Sequence, residues 1–256
     1  MRFVLLLTFL MLFFSCGNDE DSSIVEPEMM DLCEDVNCGV GGDCVNGSCV
    51  CASGYSGDRC QIYTSVAVRL QTETPLEIFE SGMYLDSLYG KVYAGGMIFY
   101  MDVDDFIPGV EGMVLSTEIL PGTYSWGCAG TDLVEIGNVT EYPNRPTENQ
   151  PGGRIGEGRA NTEAIVNSDC GENSAAIACA QLSTGGFDDW FLPSSGAIDQ
   201  VYKNLEVKGH INFGPSSYWT STERDFSGAW RYSFAGGVHA VVGKSSIIKV
   251  RAVRTF

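Results

Sequence analysis

Histidine is nearly absent from this chain. His210 and His239 are the two it has, and neither sits in a recognisable motif. That scarcity removes histidine-rich metal sites and leaves little to serve as the base of a thiol or hydroxyl nucleophile. Positive charge is also sparse, with 15 Lys and Arg against 33 Asp and Glu and a net charge of −18, so nucleic acid is not an expected partner. There is no phosphate-binding glycine loop, no serine elbow and no internal repeat. No cysteine follows Cys179. The one strongly apolar run lies within residues 1–16 and is too short to span a bilayer comfortably. What is present is an aromatic, glycine-rich chain with 19% charged residues and 11% aromatics, the composition of an ordered globular domain.

The apolar run, MRFVLLLTFLMLFFSC, reads as a signal peptide over residues 1–15. Ser15 before Cys16 resembles a bacterial lipobox, which implies lipidation of Cys16 and attachment to a membrane. Residues 17–37 then carry eight acids and no Lys or Arg. Residues 16–32 are therefore expected to be a disordered tether, reaching on the order of 50 Å at full extension. Acids directly after such a cysteine resemble the export signal of Bacteroidetes surface lipoproteins. That likeness implies an outer-membrane protein facing the exterior, with a periplasm-facing lipoprotein as the alternative.

Cys33, Cys38, Cys44, Cys49, Cys51 and Cys60 crowd into one short segment. Spacing alone leaves their pairing open. The ending from Cys49 to Cys60, with Gly54-Tyr55 before the last cysteine, resembles an EGF-like module over residues 33–60. The resemblance implies the pairs Cys33 with Cys44, Cys38 with Cys49 and Cys51 with Cys60. A segment this small cannot bury enough apolar surface to fold unaided, so disulfides would hold it. Zinc is the rival reading, opposed by the exported setting.

Beyond residue 60 the composition becomes that of a single larger domain, residues 64–256. Alternation of Val66, Val68 and Leu70 predicts a strand. Thr74 and Pro75 open a helix. Residues 92–102 read as a strand with a close backbone approach at Gly95-Gly96. Asp102, Asp104 and Asp105 read as a solvated turn in preference to a metal cluster. Residues 131–159 form a long surface loop, after which Asn161 or Thr162 caps a short helix, and residues 174–182 form another. Of Cys128, Cys170 and Cys179, two should pair in an oxidising compartment. Proximity favours Cys170 with Cys179, leaving Cys128 buried and free, while either pairing with Cys128 stays open. At residues 187–205, Trp190-Phe191-Leu192 stops at Pro193. Ser194 or Ser195 then caps a helix whose apolar face is Ala197, Ile198, Val201, Tyr202 and Leu205. Strands at 218–219, 229–234, 238–242 and 247–253 complete an antiparallel set.

Several of these pieces, in this order, resemble the Lcl C-terminal domain family (DUF1566). They are Gly95-Gly96-Met97-Ile98-Phe99-Tyr100, Trp126-Gly127-Cys128-Ala129-Gly130, Gly158-Arg159-Ala160-Asn161-Thr162, Trp190 through Ser194, Tyr218 through Glu223, Ala229-Trp230 and Val250 through Arg254. The resemblance spans residues 88–256. It implies an α+β, C-type-lectin-like fold with a mainly antiparallel sheet and short helices, and an adhesin-like role: a non-catalytic head binding an extracellular glycan or protein. The alternatives are an enzyme of the related formylglycine-generating group and a purely structural component of a surface assembly. The first lacks its reactive cysteines near the C-terminus.

Trp190, Phe191, Trp219 and Trp230 are expected in the core. Asp188, Asp189, Glu223 and Arg224 are the polar neighbours placed to reach the surface beside it. No cofactor is expected, calcium being the ion left open at those acids. Lcl-type domains are associated with sulfated glycosaminoglycans, and Lys203, Lys208, Arg224, Arg231, Lys244, Lys249, Arg251 and Arg254 make the C-terminal strands locally basic. Lys244, Lys249 and Arg251 are thus the candidates for an anionic ligand, with Arg254 on the opposite strand face from Lys249 and Arg251. Long-range repulsion from the net charge favours a neutral glycan or a protein instead. Oligomeric state is not legible. Replacing Cys16 with serine is expected to release the protein from the membrane fraction, and retention equal to wild type would refute lipid attachment.

Overall fold

The computed structural model describes residues 33–52, 54–139, 152–168, 170 and 173–256. Cys16, the signal peptide and the tether lie outside the described residues, as does part of the 131–159 loop. The architecture is α+β, with small antiparallel sheets and short helices. Among the described residues no helix is long and apolar enough to cross a membrane.

Residues 33–60 contain a hairpin of β1 (Gly42–Val45) and β2 (Ser48–Cys51). Val45 pairs with Ser48 across the two-residue turn Asn46-Gly47, both at positive φ, the Asn-Gly signature of a type I′ turn. Disulfides join Cys33 to Cys44, Cys38 to Cys49 and Cys51 to Cys60. A Cβ on Gly42 would stand 2.5 Å from the Cys60 sulfur, so glycine is what lets the hairpin press on that bridge. Then β3 (Tyr55–Ser56) pairs with β4 (Ile62–Tyr63), and Thr64 donates to the Gly54 carbonyl at 2.8 Å.

The strand expected at 66–70 is instead a helical turn, α1 (Val66–Arg69). Its amides find acceptors locally, in Ser65 and Val66, and no neighbouring strand offers a ladder. Val66 is buried while Val68 is exposed. Arg69 pairs with Glu73 one turn on. Next comes α2 (Pro75–Glu80), where Thr74 accepts from the Glu77 amide (3.2 Å) and the Glu77 carboxylate accepts from the Thr74 amide (2.8 Å). Thr74 at the cap and Pro75 at the first position are as the sequence predicts, and the Glu77 carboxylate completes a capping box.

The expected strand at 92–102 is folded back on itself. It forms β5 (Val92–Tyr93) and β6 (Gly96–Met101), joined through Ala94 and Gly95 at positive φ. A side chain at Gly95 would collide with the Phe187 ring at 2.6 Å, so the double glycine serves both the turn and the close approach. Then β7 (Gly112–Ser116) joins β6 with a bulge between Ile98 and Tyr100.

Three helices follow. In α3 (Gly158–Asn167), Glu157 occupies the cap position. Asn161 and Thr162, expected as caps, sit buried inside the helix, with the Thr162 hydroxyl donating to the Gly158 carbonyl at 2.7 Å. Ser174 caps α4 (Ala175–Ala180), and Ser194 caps α5 (Ser195–Val201), which runs on into a π-helical turn at Tyr202–Glu206.

The bridge expected between Cys170 and Cys179 does not form. Cys128 is bonded to Cys170, and Cys179 is free and buried. Cys170 precedes α4 and Cys179 lies in its last turn. Most of the length of α4 stands between them, and its winding fixes Cys179 while Cys170 stays in the preceding loop. Cys179 also lies on the helix face that buries Ala175 and Ala176. Gly127, at positive φ, brings Cys128 against the start of α4.

The C-terminal third forms a three-stranded sheet of β8 (Ser217–Glu223), β9 (Gly228–Ser233) and β10 (Val238–Gly243), in order β10-β9-β8. The run expected at 247–253 is a strand only at its end, β11 (Val253–Thr255), which completes a second sheet of order β11-β7-β6-β5. Before it, single bridges join Ile248 to Tyr124 and Lys249 to Tyr218. The partner changes every residue or two, so no continuous ladder develops.

Trp126, Trp190, Trp219 and Leu192 lie in one core cluster. Phe99, Phe191, Tyr232 and Ile198 lie in a second. Trp190, Phe191, Trp219 and Trp230 are each no more than 2% exposed. Their indole N–H groups reach carbonyls, Trp219 that of Tyr124 and Trp230 that of Val139. Trp219→Ala is expected to destabilise the fold by ~3–5 kcal/mol, read by urea denaturation. A loss under ~1 kcal/mol would contradict the packing described here.

Candidate functional site

The residues that the sequence nominates for ligand contact do not converge. Asp188 is exposed. Arg224 pairs with its neighbour Asp225 (3.2 Å), and Lys249 donates to the Ser216 hydroxyl (2.9 Å). Glu223, Lys244 and Arg251 are buried and offer no accessible surface. The basic stripe dissolves for the same reason. Lys203 pairs with Asp199, Lys208 with Asp86 and Arg254 with Asp189, while Arg231 donates to the Ser217 hydroxyl. Each cation is engaged where it stands.

Glu223 and Lys244 form an ion pair whose side chains are wholly sealed from solvent. The Lys244 ammonium also donates to the Thr131 carbonyl (2.6 Å) and lies over the Trp126 ring. The second Glu223 oxygen accepts from the Leu133 amide (3.0 Å). Burial pushes the Glu223 carboxyl up, against the opposing pull of Lys244 and the Leu133 amide. The pair clamps residues 126–133 onto β8 and β10. Satisfied this fully, a buried pair specifies geometry more than it adds stability.

Asp189 plays a comparable part nearer the surface. It receives two hydrogen bonds from Arg254 (2.6 and 3.2 Å) and one from Arg159 (3.2 Å). Arg254 reaches on to the Ala94 carbonyl and covers the Phe187 ring, and Arg159 stands over Phe191. Partial burial works to raise the Asp189 carboxyl, but the hydrogen bonds and charges of the two arginines outweigh it and hold the group below its ordinary value.

Between these lies a hydroxyl network that sequence reading missed. The Ser195 amide donates to the Thr222 hydroxyl (3.0 Å), and the Ser195 and Thr220 hydroxyls meet at 3.1 Å. Thr220 donates to the Trp230 carbonyl, Thr222 to that of Gly152, and Asn161 to Gly152 and Ser221. The runs Ser194-Ser195 and Thr220-Ser221-Thr222 carried the signal, as hydroxyls beside aromatic motifs. Their burial is needed to see them as a lock rather than as exposed polar positions.

Among the concavities of the described surface is one of mixed character in the head. It is a cleft of about 690 Å³ between the turn after β6 and the approach to α3. Phe106 is 75% exposed on one side, with Tyr100 and Ile107 beside it, and Arg154, Glu157 and Gln200 face them. Asp102, expected in a solvated turn, is buried behind this wall. It accepts from the Tyr100 hydroxyl (2.9 Å) and the Ile107 amide (2.6 Å). Burial first, then the Asp102 contact, drives the Tyr100 phenol upward, so it remains a neutral donor. Among the described residues no group of three or more His, Cys, Asp or Glu is placed to hold a metal. The sequence signal for the cleft was Phe106-Ile107-Pro108, apolar residues set directly after an acidic turn.

Asp189→Asn is expected to lower the melting temperature by a few degrees at pH 7. The folded carboxyl titrates below the unfolded one, so its stabilisation is complete above the unfolded value of ~3.9 and is lost as pH falls through the folded value. The gap between variant and wild type should therefore close in acid. A gap unchanged at low pH would contradict the charge account.

No family model matches the chain, and no curated protein does. Among solved structures, a fimbrial protein from Bacteroides ovatus is similar over 63% of this chain and 44% of its own length, at 14% identity and a TM-score of 0.42. This chain thus spans less than half the length of that protein, and likeness at this level establishes neither a common fold nor a common role.

Proposed function

We propose that the chain is a non-catalytic binding protein displayed at the outer membrane of its cell. A lipid on Cys16 holds it to the membrane. The acidic tether and an EGF-like module, residues 33–60, space out a lectin-like head of the Lcl type, residues 64–256, which recognises an extracellular glycan or protein. The observation that carries this reading is the disulfide load. Eight of the ten cysteines are paired, in four bridges that span both the module and the head. Such pairing belongs to an oxidising, exported setting. Cys179, the free thiol, is buried, and burial pushes it well above the range in which a thiolate forms, which supports packing over nucleophilic chemistry.

Two measurements test the proposal together. Protease added to intact cells is expected to degrade the protein, and full protection would overturn outward display. Particles coated with the full chain should adhere to a panel of glycan-coated and matrix-protein-coated surfaces above uncoated particles. Adherence to none of them would overturn the binding role.

A further inference from the structure

We propose that the cleft beside Phe106 is a binding site for a neutral saccharide. The inference rests on the reading of the chain as a binding protein and assigns that role to a place.

Size comes first. At about 690 Å³ the cleft falls within the ~300–1,000 Å³ range of small-ligand sites. Chemistry follows. Phe106 presents its ring to solvent at 75% exposure, at a cost in apolar hydration that a sugar's C–H face would remove. Around it stand polar groups of both kinds. Asp104 and Glu157 carry acceptor oxygens, and Arg154, which also has a partner elsewhere, carries donors. The Gln200 oxygen accepts from Asn204 (3.3 Å), and its amide nitrogen adds donors. A ring of hydroxyls, each both donor and acceptor, matches that mixture.

Charge separates neutral from anionic sugars. The lining carries two carboxylates and one guanidinium, with Asp102 behind and Asp105 alongside. An anionic sugar would meet this local field and the chain's net charge of −18. A neutral polyol avoids that penalty.

The site is also built before a ligand arrives, which lowers the cost of ordering it. Asp102 pins the Phe106 side through Tyr100 and the Ile107 amide. On the other side the Glu157 carboxylate accepts from the Arg154 amide at 3.0 Å. Gly156, at φ +94°, lies so near Ile107 that an added Cβ would come to 3.0 Å of it. The two walls therefore touch at the base.

The test presents the full chain to an array of neutral hexose and N-acetylhexosamine oligomers, with sulfated and sialylated forms alongside. Neutral spots are expected, with affinity nearly indifferent to salt. Phe106→Ala should weaken them at least tenfold without moving the melting temperature, and Gln200→Ala should weaken them less. Phe226→Ala, removing a different exposed aromatic, should match wild type. Neutral binding unaffected by Phe106→Ala would overturn the site and leave the binding role standing. Spots confined to sulfated or sialylated sugars, or no spots from a chain whose coated particles still adhere, would overturn the saccharide assignment alone.

Discussion

One short length of backbone is hydrogen-bonded to both sheets of the head and also starts a helix. Phe191 and Val253 exchange both hydrogen bonds, at 2.9 and 3.0 Å, which attaches the segment to β11. Two residues on, the Pro193 carbonyl accepts from Ser221 at 2.8 Å and attaches it to β8. Proline donates no amide there, so the chain can leave one sheet, cross and enter α5 without stranding a buried donor. The Ser194 hydroxyl then closes the first turn of the helix by accepting from Ala197. The side chains between these points, Phe191 and Leu192, enter different core clusters. One four-residue run thus serves both cores, both sheets and a helix cap.

Its neighbours show how charge is handled in a strongly acidic protein. Glu223–Lys244 and Asp189–Arg254 tie distant loops to strands in places where apolar contact alone would leave register free. Arg251 is buried as well, but donates to the Ser116 carbonyl and lies over Phe213. Basic residues in the C-terminal strands are therefore largely structural. Their density along the sequence says little about the potential that an approaching ligand meets.

What was legible in the sequence follows from this. Short-range chemistry reads well. The Thr74 and Ser194 caps, the helix from residue 174 and the burial of Trp190, Trp219 and Trp230 depend on neighbours a few residues away or on apolarity alone. Readings that needed a distant partner failed. Val66, Val68 and Leu70 alternate like a strand, yet no ladder is present to receive one. Cys170 is near Cys179 in sequence, but a helix stands between them, and the nearer thiol belongs to a loop 42 residues upstream. Lys244 looks like a surface lysine until residues 126–133 are laid over it. The cleft was hidden for the same reason, since Phe106 and Gln200 lie far apart in the head's sequence.

The bridges of residues 33–60 also have a mechanical meaning. A pull on the N-terminal side enters at Cys33 and crosses directly to Cys44 through sulfur. It leaves Cys51 for Cys60 in the same way. Only residues 44–51 stay in the line of load, and within them Cys49 is held to Cys38. The force that would unravel a small unbridged fold is carried by covalent bonds instead. The module can therefore lengthen only by opening the hairpin at 44–51, and tension otherwise passes through sulfur to the head at α1.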